Sequence, residues 1–197
     1  MKAFYFLCAF LFVNTLSAQT VSTYPEMPYT TFYEFDVIGD NIIALGSCEQ
    51  VWTSKDGGLT WRYDELSTIN NYSVKLIPGN STQALIGQFR GFVLYDFDEG
   101  VINDFSEVSG LVDNVNNQVQ VHDGQAYTFN SSGMYAADLN TYNWERIWQD
   151  TAENDVVVKS SLTDSYIYMG MLKGRVLRYE FATNQVEHVR DLSLIHI

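Results

Sequence analysis

One stretch of this chain recurs four times. Glu49-Gln50-Val51-Trp52, Gly91-Phe92-Val93-Leu94, Gly133-Met134-Tyr135-Ala136 and Gly174-Arg175-Val176-Leu177 begin at intervals of 42, 42 and 41 residues. An interval that regular constrains the fold more than any composition does, because a unit too small to bury its own apolar face must stack on copies of itself. Each copy follows a second related segment: NIIALGS from Asn41, TQALIGQ from Thr82, QAYTFNS from Gln125 and SYIYMGM from Ser165. Ahead of those lie FDVI from Phe35, VKLI from Val74, VQVH from Val119 and VVKS from Val157. A last short segment closes each unit: Trp61-Arg62-Tyr63, Val101-Ile102, Trp144-Glu145-Arg146-Ile147 and Val186-Glu187-His188-Val189.

The unit is therefore four short strands in about 42 residues. Aromatic residues make up 15% of the chain, which suits strands, and no segment shows the 3.6-residue period of a helix. Four strands per repeat of this length make a β-propeller blade. The fold class is all-β, with four visible four-stranded antiparallel blades at about 33–66, 72–108, 116–149 and 156–191. Propellers close with four to eight blades, and the expectation is that these four belong to a larger ring of six to eight.

The connection between the third and fourth strands of the first unit reads Ser54-Lys55-Asp56-Gly57-Gly58-Leu59-Thr60-Trp61. The carboxylate can accept from turn N–H groups, the glycines can take positive φ, the threonine adds a hydroxyl, and the tryptophan covers the base of the hairpin. At the matching turn of the second unit, counted from Gly91, Asp98 falls where Asp56 falls and Gly100 where Gly58 falls. The third unit has DLNTYNW, one residue shorter and keeping Trp144; the fourth has EFATNQ. The pattern Ser-x-Asp-x-Gly-x-Thr-Trp, carried by Ser54, Asp56, Gly58, Thr60 and Trp61, resembles the Asp-box (BNR repeat) of sialidase-like and photosystem II assembly-factor-like propellers. Asp98, Gly100 and Trp144 resemble degenerate copies. The resemblance implies a scaffold role for these residues, since all their bonds are spent on the hairpin.

A sialidase would carry an Arg-Ile-Pro motif near its start, an arginine triad for the substrate carboxylate, an acidic Asp and a Tyr/Glu pair. Arginine suits that task through bidentate geometry. The segment ahead of the first blade, VSTYPEMPYTTFYEF, has no arginine, and none of Arg62, Arg90, Arg146, Arg175, Arg178 and Arg190 stands in such a context. Tyr63, Asp64 and Glu65 follow the turn directly and belong to an outer strand. His122 could face a central channel but reads as structural. Asp96, Asp98 and Glu99 resemble a small cation site, but hairpin chemistry explains two of the three, and their spacing is not that of an EF-hand loop. No catalytic residue, metal site or cofactor is expected.

The chain opens with Lys2, then the apolar run Ala3–Val13, then NTLSAQ. This reads as a signal peptide over residues 1–18, cut after Ser17 or Ala18, and too short to span a bilayer. Cys8 lies within it, which leaves Cys48 unpaired as a small buried hydrophobe. Losing Lys2 takes the formal net charge from −13 to −14, so nucleic acid and anionic membrane are disfavoured as partners. The LSAQ ending resembles exported proteins of Bacteroidetes, where large propellers often carry a sorting domain for type IX secretion. The last residues, Leu192–Ile197, read LSLIHI, the translation of the transposon end CTGTCTCTTATACACATCT used in sequencing libraries. Residues 19–191 are thus expected to be an N-terminal piece of a longer exported propeller, at the cell surface, in the periplasm or secreted.

The expected function is a non-enzymatic propeller that binds a protein or glycan ligand across its central face, with no membrane segment in this stretch. The alternatives are a divergent sialidase-like glycoside hydrolase completed by further blades, or the sensor propeller of a membrane-bound regulator.

Overall fold

Alternating apolar residues and glycine-rich turns fold each repeat into consecutive hairpins. The computed structural model describes residues 31–47, 49–66, 71–88, 91–105, 118–130, 133–150 and 155–191. Blade one consists of β1 (Phe32–Ile38), β2 (Asn41–Gly46), β3 (Gln50–Ser54) and β4 (Arg62–Glu65). Blade two consists of β5 (Asn71–Ile77), β6 (Asn80–Gln88), β7 (Phe92–Asp96) and β8 (Gly100–Asp104). Blade three has β9 (Gln118–His122), β10 (Gln125–Asn130), β11 (Gly133–Asp138) and β12 (Glu145–Trp148); blade four has β13 (Val157–Leu162), β14 (Tyr166–Met171), β15 (Arg175–Glu180) and β16 (Gln185–Asp191). Each blade is one antiparallel sheet with its strands in sequence order. The four sheets form a four-blade β-propeller, and no helix occurs among the described residues. The proposed leader, Cys48 and the last six residues lie outside the described residues.

Strand alternation sorts each blade's side chains onto two faces, and the faces pack in chain order. Ile43, Leu45 and Val51 of blade one meet Val74, Leu76, Ile86 and Tyr95 of blade two. Leu85, Phe92 and Leu94 on the other side of blade two meet Val119, Val121, Tyr135 and Trp144 of blade three. Tyr127, Phe129 and Met134 of blade three meet Ile167, Met169, Leu177 and Tyr179 of blade four. Among the described residues, no buried hydrophobic cluster joins blade four to blade one.

The ungapped repeat alignment sets Trp52 beside Leu94, but the structure separates them. Leu94 faces the following blade with Leu85, whereas Trp52 lies on the opposite face of β3 from Val51, which packs on the following blade. By face, Trp52 corresponds to Tyr95, Ala137 and Tyr179, each packed on the preceding blade. The cause is loop parity. Residues 46–50 separate the paired Leu45 and Val51, while residues 88–91 separate the paired Gly87 and Phe92. One residue more in the loop moves every side chain of the next strand to the other face.

Candidate functional site

The innermost strands β1, β5, β9 and β13 surround a central channel and are tied by polar groups. Asp36 on β1 accepts from the Leu76 amide at 2.8 Å and pairs with Lys75 Nζ at 3.4 Å. Ser73 Oγ on β5 accepts from the Val119 amide at 2.9 Å. Gln120 on β9 donates from Nε2 to Ser160 Oγ at 2.9 Å and to the Ser160 carbonyl at 3.2 Å. Lys159 on β13 reaches Glu34 Oε2 on β1 at 2.5 Å.

At the end of the channel where the first hairpin of each blade turns, a cavity of about 310 Å³ draws on all four inner strands. Its polar lining is Asp36, Lys75, Gln120, Ser160 and Ser161; Ile38, Leu76, Pro78, Val121 and Leu162 supply the apolar part. The charges of Asp36 and Lys75 offset each other, and the amide and hydroxyls offer both donors and acceptors. The lining holds no nucleophile–base pair. Such a lining offers donors and acceptors that can orient a polar ligand.

The turn at Ser54–Trp61 is a self-contained network at the outer part of blade one. Asp56 Oδ2 accepts from Thr60 Oγ1 at 2.6 Å, and Oδ1 accepts from the Thr60 amide at 2.8 Å and from Ser54 Oγ at 2.8 Å. Ser54 Oγ in turn accepts from the Gly58 amide at 2.9 Å. The hydroxyl of Thr60, then its amide, hold the Asp56 carboxyl down to about 2. Gly57 and Gly58 stand at φ 68° and 90°, where a side chain is strained. Trp61 donates from Nε1 to the Gly58 carbonyl at 3.0 Å and is half-buried, not enclosed. Lys55 and Arg62 extend the turn to blade two: Lys55 Nζ pairs with Asp98 at 2.5 Å, and Arg62 Nη1 donates to the Phe97 and Asp98 carbonyls, both at 2.7 Å.

In blade two the Asp98 side chain is exposed and serves that ion pair, and Gly100 sits at φ 82°. The turn itself is capped by Asp96, whose Oδ1 accepts from the Asp98 amide at 2.8 Å and the Glu99 amide at 3.3 Å. Asp138 does the same for blade three, accepting from the Asn140 amide at 2.8 Å. Glu180 accepts from Thr183 Oγ1 at 2.8 Å in blade four. Ser54, Asp96, Asp138 and Glu180 each end a third strand and stand 42 residues apart throughout. Outside Ser54, which belongs to the box pattern, the sequence marks that capping position only by its spacing. Trp144 is buried and stacks on Phe92 of blade two with ring centroids 4.8 Å apart.

The remaining sequence candidates have structural partners. Tyr63 donates to Glu65 at 2.6 Å, and Asp64 accepts from Tyr95 Oη of blade two and pairs with Arg62. Burial, then the bond to Asp64, raise the Tyr95 phenol well above its ordinary range. The His122 ring stacks on Phe181 with centroids 4.1 Å apart, away from the channel lining. Arg175 pairs with the buried Asp155 at 2.6 Å and with Asp150, and Arg178 pairs with Glu187 at 2.9 Å. These arginines lie on separate interactions and do not converge. No helix among the described residues is long and apolar enough to cross a membrane.

No protein-family model matches the chain, and no curated protein sequence matches it. Solved structures match in fold. The WD40 β-propeller domain of Doa1 is similar over 81% of this chain and 53% of its own length, with a TM-score of 0.66 and 15% identity. The computationally designed Ika8 protein is similar over 85% of this chain and 51% of its own, with a TM-score of 0.59 and 9% identity. The designed Ika4 protein is similar over 84% of this chain and 95% of its own, again with a TM-score of 0.59 and 9% identity. The chain thus spans about half the length of Ika8 and of the Doa1 domain.

Proposed function

We propose that this chain is an exported, non-enzymatic β-propeller that binds a polar ligand, a peptide or a glycan chain, over the mouth of its central channel. The observation that carries the reading is the convergence of Asp36, Lys75, Gln120 and Ser160, one from each inner strand, on a single cavity. A ring whose hydrogen-bonding groups meet at the axis recognises a ligand with several blades at once. In the same reading Ser54–Trp61 is an Asp-box serving as scaffold, since its polar groups are engaged within the turn or with blade two. Export rests on Lys2 and the apolar run Ala3–Val13. The affiliation with Asp-box propellers of Bacteroidetes-type exported proteins rests on the box and the LSAQ ending.

The test is a glycan and peptide array probed with the wild-type chain and with Ser161→Arg, which fills the mouth from an exposed position. Retention should be lost in Ser161→Arg while the thermal midpoint stays unchanged. A fluorogenic sialoside should release no fluorophore. Retention that survives Ser161→Arg would move the binding surface elsewhere, and steady turnover of the sialoside would make the chain a hydrolase. Export predicts that protein recovered outside the cytoplasm of a secreting host begins at Ala18 or Gln19 by mass spectrometry; an intact Met1 there would overturn it.

A further inference from the structure

Blades one to three each present one register row to the outer part of the blade that follows, and the three rows differ. Blade one has Ile43–Thr53–Arg62, blade two Leu85–Leu94–Asn103 and blade three Tyr127–Ala136–Glu145. The first interface is bridged by a cation of the chain itself. Arg62 Nη1 donates to the Phe97 and Asp98 carbonyls of blade two, and the groove beside it holds about 240 Å³. The second interface is filled by apolar bulk, with Leu94 buried and Trp144 stacked on Phe92. The third has neither device. Ala136 puts a methyl group where Leu94 stands, and Glu145 puts an acceptor where Arg62 puts a donor. A groove of about 450 Å³ is left between blades three and four, a volume in the range of small-ligand sites.

The lining of this groove is chemically one-sided. Tyr127 enters it from blade three and Tyr179 from blade four, 7% and 3% exposed. The Tyr179 hydroxyl is engaged, donating to Asn184 Oδ1 at 2.6 Å. The Tyr127 hydroxyl has no hydrogen-bond partner among the described residues, although the side chain is more than nine-tenths buried. A polar group that buried ordinarily has one. Burial, then the neighbouring Tyr179 phenol, push the Tyr127 phenol up to about 12, so it stays a neutral hydroxyl near pH 7. Glu145 is exposed and likewise has no hydrogen bond or ion pair among the described residues. Asp138 accepts from the Asn140 amide through one oxygen. Among the described residues that line the groove there is no lysine, arginine or histidine. Two carboxylates and a free phenol oxygen, with no cation beside them, suit a ligand that brings donors and positive charge. A neutral sugar would leave both charges unanswered.

We propose that the groove between blades three and four is a second binding site, separate from the channel mouth, and that it takes an arginine side chain of a peptide. The guanidinium donates to Glu145 and to Tyr127 Oη, and does for the third interface what Arg62 does for the first. Its planar fork serves acceptors on two strands at once, which the compact charge of a lysine does less well.

The experiment is an NMR titration of the isotopically labelled whole chain with acetyl-Gly-Arg-Gly-amide, following the backbone amides of Tyr127, Ala136 and Glu145. Saturable shifts at these amides are expected. The citrulline counterpart of the peptide, alike in shape but uncharged, should bind at least about tenfold more weakly. Glu145→Gln should weaken binding of the arginine peptide about tenfold and Tyr127→Phe about threefold, with the thermal midpoint of neither variant lowered. Glu99→Gln removes the same charge from an exposed turn of blade two and should leave the affinity unchanged. Ser161→Arg should leave it unchanged as well, so this site and the channel mouth fail or stand separately. Absence of shifts, equal binding of the citrulline peptide, indifference to both Glu145→Gln and Tyr127→Phe, equal weakening by Glu99→Gln, or loss in Ser161→Arg would each overturn the proposal. So would shifts of these amides with methyl glucoside and none with the arginine peptide, which would make the groove a glycan site.

Discussion

Two tryptophans at matching turns have different jobs. Trp144 is wedged against Phe92 of the neighbouring blade, and its Nε1–H has no hydrogen-bond partner among the described residues. Trp144→Ala should therefore cost about 3–5 kcal/mol by urea unfolding, whereas Trp144→Phe keeps the stack, removes the unpaired donor and should cost under about 1.5 kcal/mol. Trp61 is half-buried and bonded to its own turn, so Trp61→Ala should cost less, about 1–2 kcal/mol. Asp56 makes a prediction about pH. Its carboxyl is depressed to about 2 in the folded chain, so the stability it contributes is present above the ordinary carboxylate range and is lost as pH falls through about 2. The melting difference between wild type and Asp56→Ala should be largest near neutrality and close toward pH 2; a difference that grows in acid would contradict this. The sequence made Asp56, Gly58 and Thr60 legible because they form a contiguous motif. The caps Asp138 and Glu180 show in the sequence only as a fixed distance from the repeat start, and Asp96 only as one of three clustered acids.

At the level of strands and connections, the four-strand unit could be read from spacing alone, since hairpins need only local alternation and turn residues. The facing of each strand could not, because the parity of a loop decides it and parity does not show in an alignment of similar words. The entry into blade four depends on one buried acid. Asp155 accepts from Arg175 Nε at 2.6 Å and from the Lys173 amide at 2.8 Å, which fastens the start of the blade to its second hairpin. Asp155→Asn keeps the shape but removes the charge facing Arg175. It should destabilise by roughly 3 kcal/mol, the range for breaking a buried ion pair, and a loss under about 1 kcal/mol would show that the clamp is incidental. The inward-facing polar residues share no motif either. Asp36, Lys75, Gln120 and Ser160 lie about 40 residues apart, in strands whose words differ, and they converge only once the ring is built.

For the molecule as a whole, packing between blades is unequal. Blades two and three are covered on both faces, blades one and four on one. Hydrogen exchange should be slowest in β5–β7 and β9–β11 and faster in blades one and four; uniform protection would mean the seam is as well packed as the other interfaces. The same inequality bears on how the chain reaches its fold. All three apolar interfaces join blades adjacent in sequence, and every sheet is made of consecutive strands. No contact between the two ends of the chain is required before the core forms, so the cost of closing a long loop is deferred to a step that buries little. A chain emerging from the ribosome can therefore set each blade against its predecessor as it appears, and bring blade four to blade one last.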